Sequence, residues 1–173
     1  MKHVMLFLML LGGTSLTSCA QEKTQGTATA EAQTVAMAGD DQPFKVQKTR
    51  AEWKAALTPN QFRILREEGT EPPYKNAYWD NHEAGLYQCA GCGNVLFSSE
   101  TKYESHTGWP SFWEPIDPGA VGTEVDNSLM MSRTEVHCAD CGGHLGHVFR
   151  DGPKPTGLRY CMNSGAMTFE KSK

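Results

Sequence analysis

Six cysteines carry most of the chemistry open to this 173-residue chain, and their spacing sorts them. Cys89-Ala90-Gly91-Cys92 and Cys138-Ala139-Asp140-Cys141 are two CxxC pairs, each followed by a glycine. A CxxC turn presents two thiolates to one cation, and the trailing glycine leaves room for backbone N–H groups to approach sulfur. Two such knuckles complete a closed tetrahedral Cys₄ site of the structural zinc type, with no coordination position left open. The 45 residues from Gly93 to His137 exceed a compact zinc ribbon, so the metal would pin two distant hairpins. Disulfides are the competing reading for an exported chain, and a thioredoxin-like dithiol is a third. Two pairs with the same trailing glycine favour zinc, and neither pair sits in a strand–helix–strand pattern.

Cys161 stands apart from both pairs. A lone cysteine is commonly an inert core residue, but its neighbours argue otherwise. If Leu158-Arg159-Tyr160-Cys161-Met162-Asn163 is a strand, its period of two puts Arg159, Cys161 and Asn163 on one face. Leu158, Tyr160 and Met162 are then free to enter the core. A guanidinium favours the thiolate, and an amide can donate a hydrogen bond to it. His144-Leu145-Gly146-His147 follows the second knuckle directly. Each histidine can be a ligand, a structural residue or an acid–base group, and four cysteines already fill the zinc. On a straight strand the two rings point to opposite faces, so at least one is expected on a turn helped by Gly146. Trp109, inside Thr107-Gly108-Trp109-Pro110-Ser111-Phe112-Trp113, either walls a small apolar pocket or packs as an ordinary rim aromatic.

The elements that must position these residues are short. Arg50 to Leu57 carries Trp53 and Leu57 at helical spacing. Thr58-Pro59-Asn60-Gln61 then has the capping-box spacing, with proline at the first helical position. Phe62 and Leu65 give that second helix an apolar face, and Gly69 and Pro72-Pro73 stop it. Both helices are expected to cover an edge or end of the core. Beyond Tyr74 the runs 85–88, 95–97, 129–136, 147–149 and 158–162 are separated by Gly, Pro, Asp and Asn, which predicts an antiparallel β domain.

Composition bounds the rest. A 39% hydrophobic and 21% charged chain can build one core, and a formal net charge of −4 without a basic cluster argues against nucleic acid. Residues 1–18 read as an export signal: Lys2, an apolar run from Val4 to Leu11 too short to span a bilayer, then Leu16-Thr17-Ser18-Cys19. That ending resembles the lipobox of bacterial lipoproteins, which implies lipidation of Cys19, a membrane anchor and a place in the cell envelope. A plain secretory signal with an incidental cysteine is the alternative. Residues 19–43, rich in Thr, Ala, Gln and Glu, read as a disordered tether, and 44–173 as the folded domain.

Several longer segments resemble the B-type methionine sulfoxide reductases, which act on the R epimer. They are Tyr78-Trp79-Asp80-Asn81-His82-Glu83 before the first knuckle, Leu96-Phe97-Ser98-Ser99, Gly108-Trp109-Pro110-Ser111-Phe112, and His144-Leu145-Gly146-His147-Val148-Phe149 with Asp151-Gly152-Pro153. Thr156-Gly157-Leu158-Arg159-Tyr160-Cys161 and Asn163-Ser164 close the set. The likeness spans roughly residues 50 to 170. It implies two antiparallel sheets and a role for each matching residue. Cys161 attacks the sulfoxide sulfur and becomes a sulfenic acid. His147, helped by His144, protonates the sulfoxide oxygen. Arg159 and Asn163 hold the thiolate and bound water or substrate, and Trp109 receives the substrate methyl. Cys89, Cys92, Cys138 and Cys141 hold one structural zinc.

Some members of that family place a second cysteine near the Gly-Trp-Pro loop, or elsewhere. This chain has Ser105-His106-Thr107 before the loop. With the knuckles and Cys19 assigned, no free thiol remains to resolve the sulfenic acid. The expected cycle therefore uses an external thiol or a thioredoxin-like partner, acts on oxidised proteins or peptides and needs no second subunit. A zinc-stabilised protein-binding module and a thiol peroxidase remain as rival classes. The first gives Cys161 no task and the second gives Trp109 none.

Overall fold

A computed structural model describes residues 44–128 and 131–173. The export signal, Cys19 and the tether lie outside the described residues, as do Leu129 and Met130. No helix among the described residues is long and apolar enough to cross a membrane.

The domain opens with two short helices, α1 (Arg50–Ala56) and α2 (Pro59–Glu67). Each begins on a reciprocal threonine capping box: Thr49 with Glu52, and Thr58 with Gln61. The second was expected; the first passes unnoticed in Thr49-Arg50-Ala51-Glu52. Two capping boxes matter because helices this short are marginal alone and depend on caps and packing. α2 stops one residue earlier than expected, with Glu68 rather than Gly69 in the left-handed conformation (φ 52°). Trp53, Phe62, Ile64 and Leu65 are buried, and α2 lies against the strand that carries both histidines. The helices therefore cover the core, as expected.

Nine strands follow among the described residues, all paired antiparallel. β1 (Gly85–Cys89), β2 (Val95–Ser98) and β9 (Met167–Lys171) form a three-stranded sheet in the order β2-β1-β9. The larger sheet takes β3 (Lys102–Tyr103), β4 (Ser111–Phe112), β5 (Val121–Asp126), β6 (Arg133–Cys138), β7 (His144–Phe149) and β8 (Arg159–Met162), in the order β3-β4-β8-β7-β6-β5. The expected run 129–136 is shifted: its strand starts at Arg133 and ends on Cys138. β5 and β9 were not anticipated, because Gly122, Thr123 and Glu124 dilute one and Thr168, Glu170 and Lys171 the other. β5 shows no apolar alternation, and in β9 the alternation is limited to buried Met167 and half-buried Phe169.

The two sheets meet through aromatic rings. Phe97 of β2 stacks on Phe112 of β4 with centroids 4.4 Å apart, and Tyr87 of β1 meets Phe112 edge-on at 5.0 Å. All three are fully buried, and each such ring contributes about 1.5–3 kcal/mol of burial free energy. In the larger sheet Val136, Met162 and Leu145 point into this core with no exposure. Residues alternating with them look to the other face, where the candidate site lies.

Candidate active site

One row across the large sheet builds the site. Ser111 of β4 pairs with Cys161 of β8, Cys161 pairs with His147 of β7, and His147 pairs with Glu135 of β6. Directly opposed residues of antiparallel strands share a face with Cβ atoms roughly 4.5–5.5 Å apart. Backbone register alone therefore sets the imidazole of His147 beside the thiol of Cys161.

Both histidines reach this face, and the means differ from the expected turn. His144 and His147 both lie within β7, and the register slips between Val136 and His137 of the facing strand. This bulge sends Leu145 and Gly146 both toward the core and leaves His144 and His147 on the site face, ring centroids 5.5 Å apart. Only glycine fits at position 146, since a Cβ there would collide with the carbonyl of Cys161. Strand proximity and histidine placement thus depend on the same residue.

Each histidine is held by a carboxylate. His144 Nδ1 lies 2.5 Å from Glu135 Oε1, both almost fully buried, and His147 Nε2 lies 2.8 Å from Asp126 Oδ2. Burial lowers the pKa of His147, and the hydrogen bond to Asp126 works against it. Burial acts to raise Glu135, but the bond to His144 leads a set of contacts that hold it below the usual carboxylate range. Neither Asp126 nor Glu135 was singled out from sequence. The available signal was physical: a buried histidine needs a partner for its ring nitrogens, and Glu135 lies in an otherwise ordinary strand.

The thiol of Cys161 is partly buried. Thr107 Oγ1 approaches its sulfur to 3.8 Å, at the end of a hydroxyl chain in which Ser105 Oγ meets Thr107 Oγ1 and Ser111 Oγ at 2.8 Å each. Burial pushes the thiol pKa up, while Thr107, Arg159 and Ser111 pull less strongly the other way. Arg159 shares the face, as expected, but its charge is divided. Its guanidinium makes a two-pronged contact with Asp151 at 2.9 and 2.8 Å and lies 4.4 Å over the Phe149 ring. The resting thiol is therefore less acidic than the sequence pattern alone suggests.

Asn163 departs furthest from expectation. β8 ends at Met162, and Asn163 faces inward, 4% exposed. Its Oδ1 accepts from the Glu71 backbone N–H at 3.2 Å, and its Nδ2 donates to the Leu145 carbonyl at 3.1 Å. The amide ties the bulge of β7 to the segment after α2, and no hydrogen bond to Cys161 is formed. Half-buried Trp109 belongs to the same tie, its Nε1 donating to the Glu71 carbonyl at 3.0 Å. The Glu71 carboxylate accepts from the backbone N–H groups of Ser164 and Gly165, and burial pushes its pKa up. Glu71 thus joins the Trp109 loop to the end of the Cys161 strand, a role invisible in a Thr-Glu-Pro-Pro sequence. A cleft of about 260 Å³ at the β3 edge is lined by Asn81, His82, Glu83, Ser99, Lys102, Tyr103 and Glu104, not by Cys161, His147 or Trp109.

The four knuckle cysteines converge as expected. All four sulfurs lie within 4.8 Å of one another, with Cys89–Cys141 at 3.7 Å and Cys92–Cys138 at 3.5 Å. These lengths far exceed an S–S bond of about 2.05 Å. They match the roughly 3.8 Å edge of a tetrahedron with metal–sulfur bonds of about 2.3 Å. The knuckles are near copies. Gly93 N–H donates to Cys89 O and Gly142 N–H to Cys138 O, both at 2.8 Å, and both glycines are left-handed (φ 79° and 64°). This donor set fits a structural metal ion that staples β1 of one sheet to the β6–β7 turn of the other.

A thiol in register with a carboxylate-bound imidazole, on a sheet stapled by a separate Cys₄ cluster, marks a thiol-based oxidoreductase. Comparison with known proteins places it more closely. Residues 57–171 match the SelR domain. A Leptospira interrogans protein named peptide methionine sulfoxide reductase MsrB is 56% identical over 128 residues, covering 74% of this chain and 98% of that one. Proteins of the same name from Agrobacterium fabrum (56% over 126 residues, 73% and 93% covered) and Methanosarcina mazei (52% over 129 residues, 75% and 92% covered) are similar over the same region. The chain belongs to the SelR domain family of oxidoreductases.

Proposed function

We propose that this enzyme reduces methionine-R-sulfoxide in oxidised proteins and peptides to methionine through Cys161. Family membership supports the reaction class, and the cross-strand pair His147–Cys161 is the observation that carries the chemistry. A sulfoxide oxygen leaves poorly unless it is protonated, so the nucleophile needs an acid beside it. Cys161 sulfur donates an electron pair to the sulfoxide sulfur while His147 gives a proton to the oxygen. Both the S–O bond and the new S–S bond of the substrate sulfur then break: one electron pair stays on methionine, the other joins the oxygen to Cys161 as a sulfenic acid, and the thiol proton returns to His147. Cys161 sulfur is oxidised by two electrons and the substrate sulfur is reduced by two. Trp109, with its indole N–H fixed on Glu71, offers a flat apolar wall for the substrate methyl. Arg159 and Asn163 shape the site around the thiol.

The sulfenic acid needs two electrons to return to thiol. Thr107 stands next to Cys161, the Ser105-His106-Thr107 stretch carries no cysteine, and the knuckle thiols belong to the metal. An external dithiol, thioredoxin-like in kind, therefore supplies the electrons and releases water. One zinc held by Cys89, Cys92, Cys138 and Cys141 contributes to folding. The lipobox-like Leu16-Thr17-Ser18-Cys19 supports a lipid anchor on Cys19 that holds the mature enzyme at a membrane of the cell envelope, where it repairs exported proteins.

The test is an assay of residues 20–173 on a peptide carrying separated R- and S-methionine sulfoxide, with dithiothreitol as reductant. Reduction of the R epimer alone is expected. Folded, zinc-loaded protein that reduces neither epimer sinks the reading. Mass spectrometry of the membrane fraction tests the anchor, and an unlipidated cytoplasmic protein refutes it.

A further inference from the structure

His147 has two ring nitrogens, and the structure commits only one. Nε2 meets Asp126 Oδ2 at 2.8 Å. Asp126, at the end of β5, is itself fixed: its Oδ1 accepts from the Ser128 backbone N–H at 2.8 Å and its Oδ2 from Arg133 at 2.5 Å. Side chains of Asp126, His147 and Arg133 are 12%, 12% and 22% exposed, so the group is largely screened from water. The Asp126 carboxyl sits well below the usual carboxylate range, chiefly through Ser128 and then His147.

We infer that Asp126 is a positioning residue for His147: it holds the ring by Nε2–H, leaves Nδ1 as the nitrogen that meets the substrate oxygen, and keeps the imidazolium available beside Cys161. The inference rests on His147 as the acid of the proposed reaction. A carboxylate on the far nitrogen does for this imidazole what it does in any hydrogen-bonded acid–base pair, choosing the tautomer and stabilising the cation. The need is specific to this place. Burial first, then the Arg133 guanidinium and the neighbouring His144 ring, disfavour a charged His147, and Asp126 is the group that opposes them. The titratable groups paired with His147 across the sheet are Glu135, opposite it on β6 but bonded to His144, and the Cys161 thiol on β8. Glu124 faces Glu135 from β5, one pair further out.

The experiment compares wild type with Asp126→Asn in the full chain. It uses ¹⁵N NMR of the histidine rings, with His147 assigned by its loss in His147→Gln, beside the pH profile of kcat/KM for R-sulfoxide peptide. In wild type, neutral His147 should carry its proton on Nε2, and activity should fall as pH rises through its titration. In D126N the titration and the fall should both move down by about one pH unit or more, a tenfold loss above the new midpoint, with near wild-type rates at the acid end. Arg133→Met removes an opposing cation and should move both upward, which guards against a misfolded D126N. An unchanged titration and tautomer in both variants overturns the inference, and so does an activity loss equal at every pH. A moved titration with an unmoved rate profile, together with an active His147→Gln, leaves Asp126 as the tuner of His147 but removes His147 as the acid.

Discussion

The chain uses cysteine in two ways, and the two regions contrast at every level. The knuckle cysteines sit on tight turns, four residues from two local repeats, and their geometry follows from chain spacing plus one left-handed glycine each. Cys161 sits in mid-strand, and among its site neighbours only Arg159 comes from within four residues. Its imidazole comes from β7, the carboxylates behind that from β5 and β6, and its hydroxyls from β4 and the loop before it. A metal site on turns is a local property that a structure inherits. A thiol site on a sheet is a property of register, and register must be right across five strands at once.

The largest test of that contrast is Cys138→Ser. Removing one ligand from a closed site should forfeit much of the roughly 10–16 kcal/mol that structural zinc binding contributes in small domains. The variant should lose metal by atomic absorption and melt far below wild type, with activity lost in step with fold. Retained metal and an unshifted Tm would show that β1 and the β6–β7 turn hold together without the staple.

Next in size is Cys161→Ser. Loss of the proposed nucleophile should cost at least about 10³-fold in turnover, while metal content, Tm and circular dichroism stay as in wild type. The two cysteine classes then separate cleanly: one variant loses fold and function together, the other function alone. Wild-type turnover in Cys161→Ser would falsify the mechanism.

Legibility from sequence follows the same divide. The knuckles, the second capping box and most core strands were readable because each depends on neighbours within a few residues. Cys161 and Arg159 were singled out by residue type and period, His144 and His147 by residue type and their place after the second knuckle, and the pairing of β7 with β8 sets His147 opposite Cys161. What stayed hidden was non-local. The bulge at Leu145 and Gly146 defeats period-two counting, so the histidines looked mutually exclusive. Asn163 lies one residue past the strand end, where alternation no longer holds, and its amide turned inward. Glu71, Asp126 and Glu135 contribute through partners 92, 21 and 9 residues away. No pattern in a single sequence announces such pairs.

Gly146→Ala tests register directly and should fall below the cysteine variants in effect. A methyl at this position meets the Cys161 carbonyl, so β7 and β8 must part by a fraction of an ångström or more. Misplacement on that scale costs up to about 10²-fold in rate. kcat/KM should drop by roughly that factor while the metal stays bound, because the knuckles lie beyond the bulge. Full activity in this variant would mean that His147 need not sit opposite Cys161.

The smallest effect distinguishes what surrounds the thiol. Burial raises the Cys161 pKa, and Arg159 opposes it only in part because Asp151 shares the guanidinium. The sign follows: a raised thiol pKa leaves the neutral form dominant at neutral pH, and the reactive thiolate grows tenfold per pH unit up to that pKa. Iodoacetamide labelling of Cys161 in substrate-free enzyme should therefore climb steadily from pH 7 to above the ordinary thiol range. In Arg159→Met the climb should shift to higher pH, slowing labelling at pH 7 by a few fold. Asp151→Asn should shift it the other way, since it frees the guanidinium to face the sulfur. If Arg159→Met labels as fast as wild type, the arginine serves Asp151 and the Phe149 ring, and activation of Cys161 falls to the hydroxyls of Thr107 and Ser111.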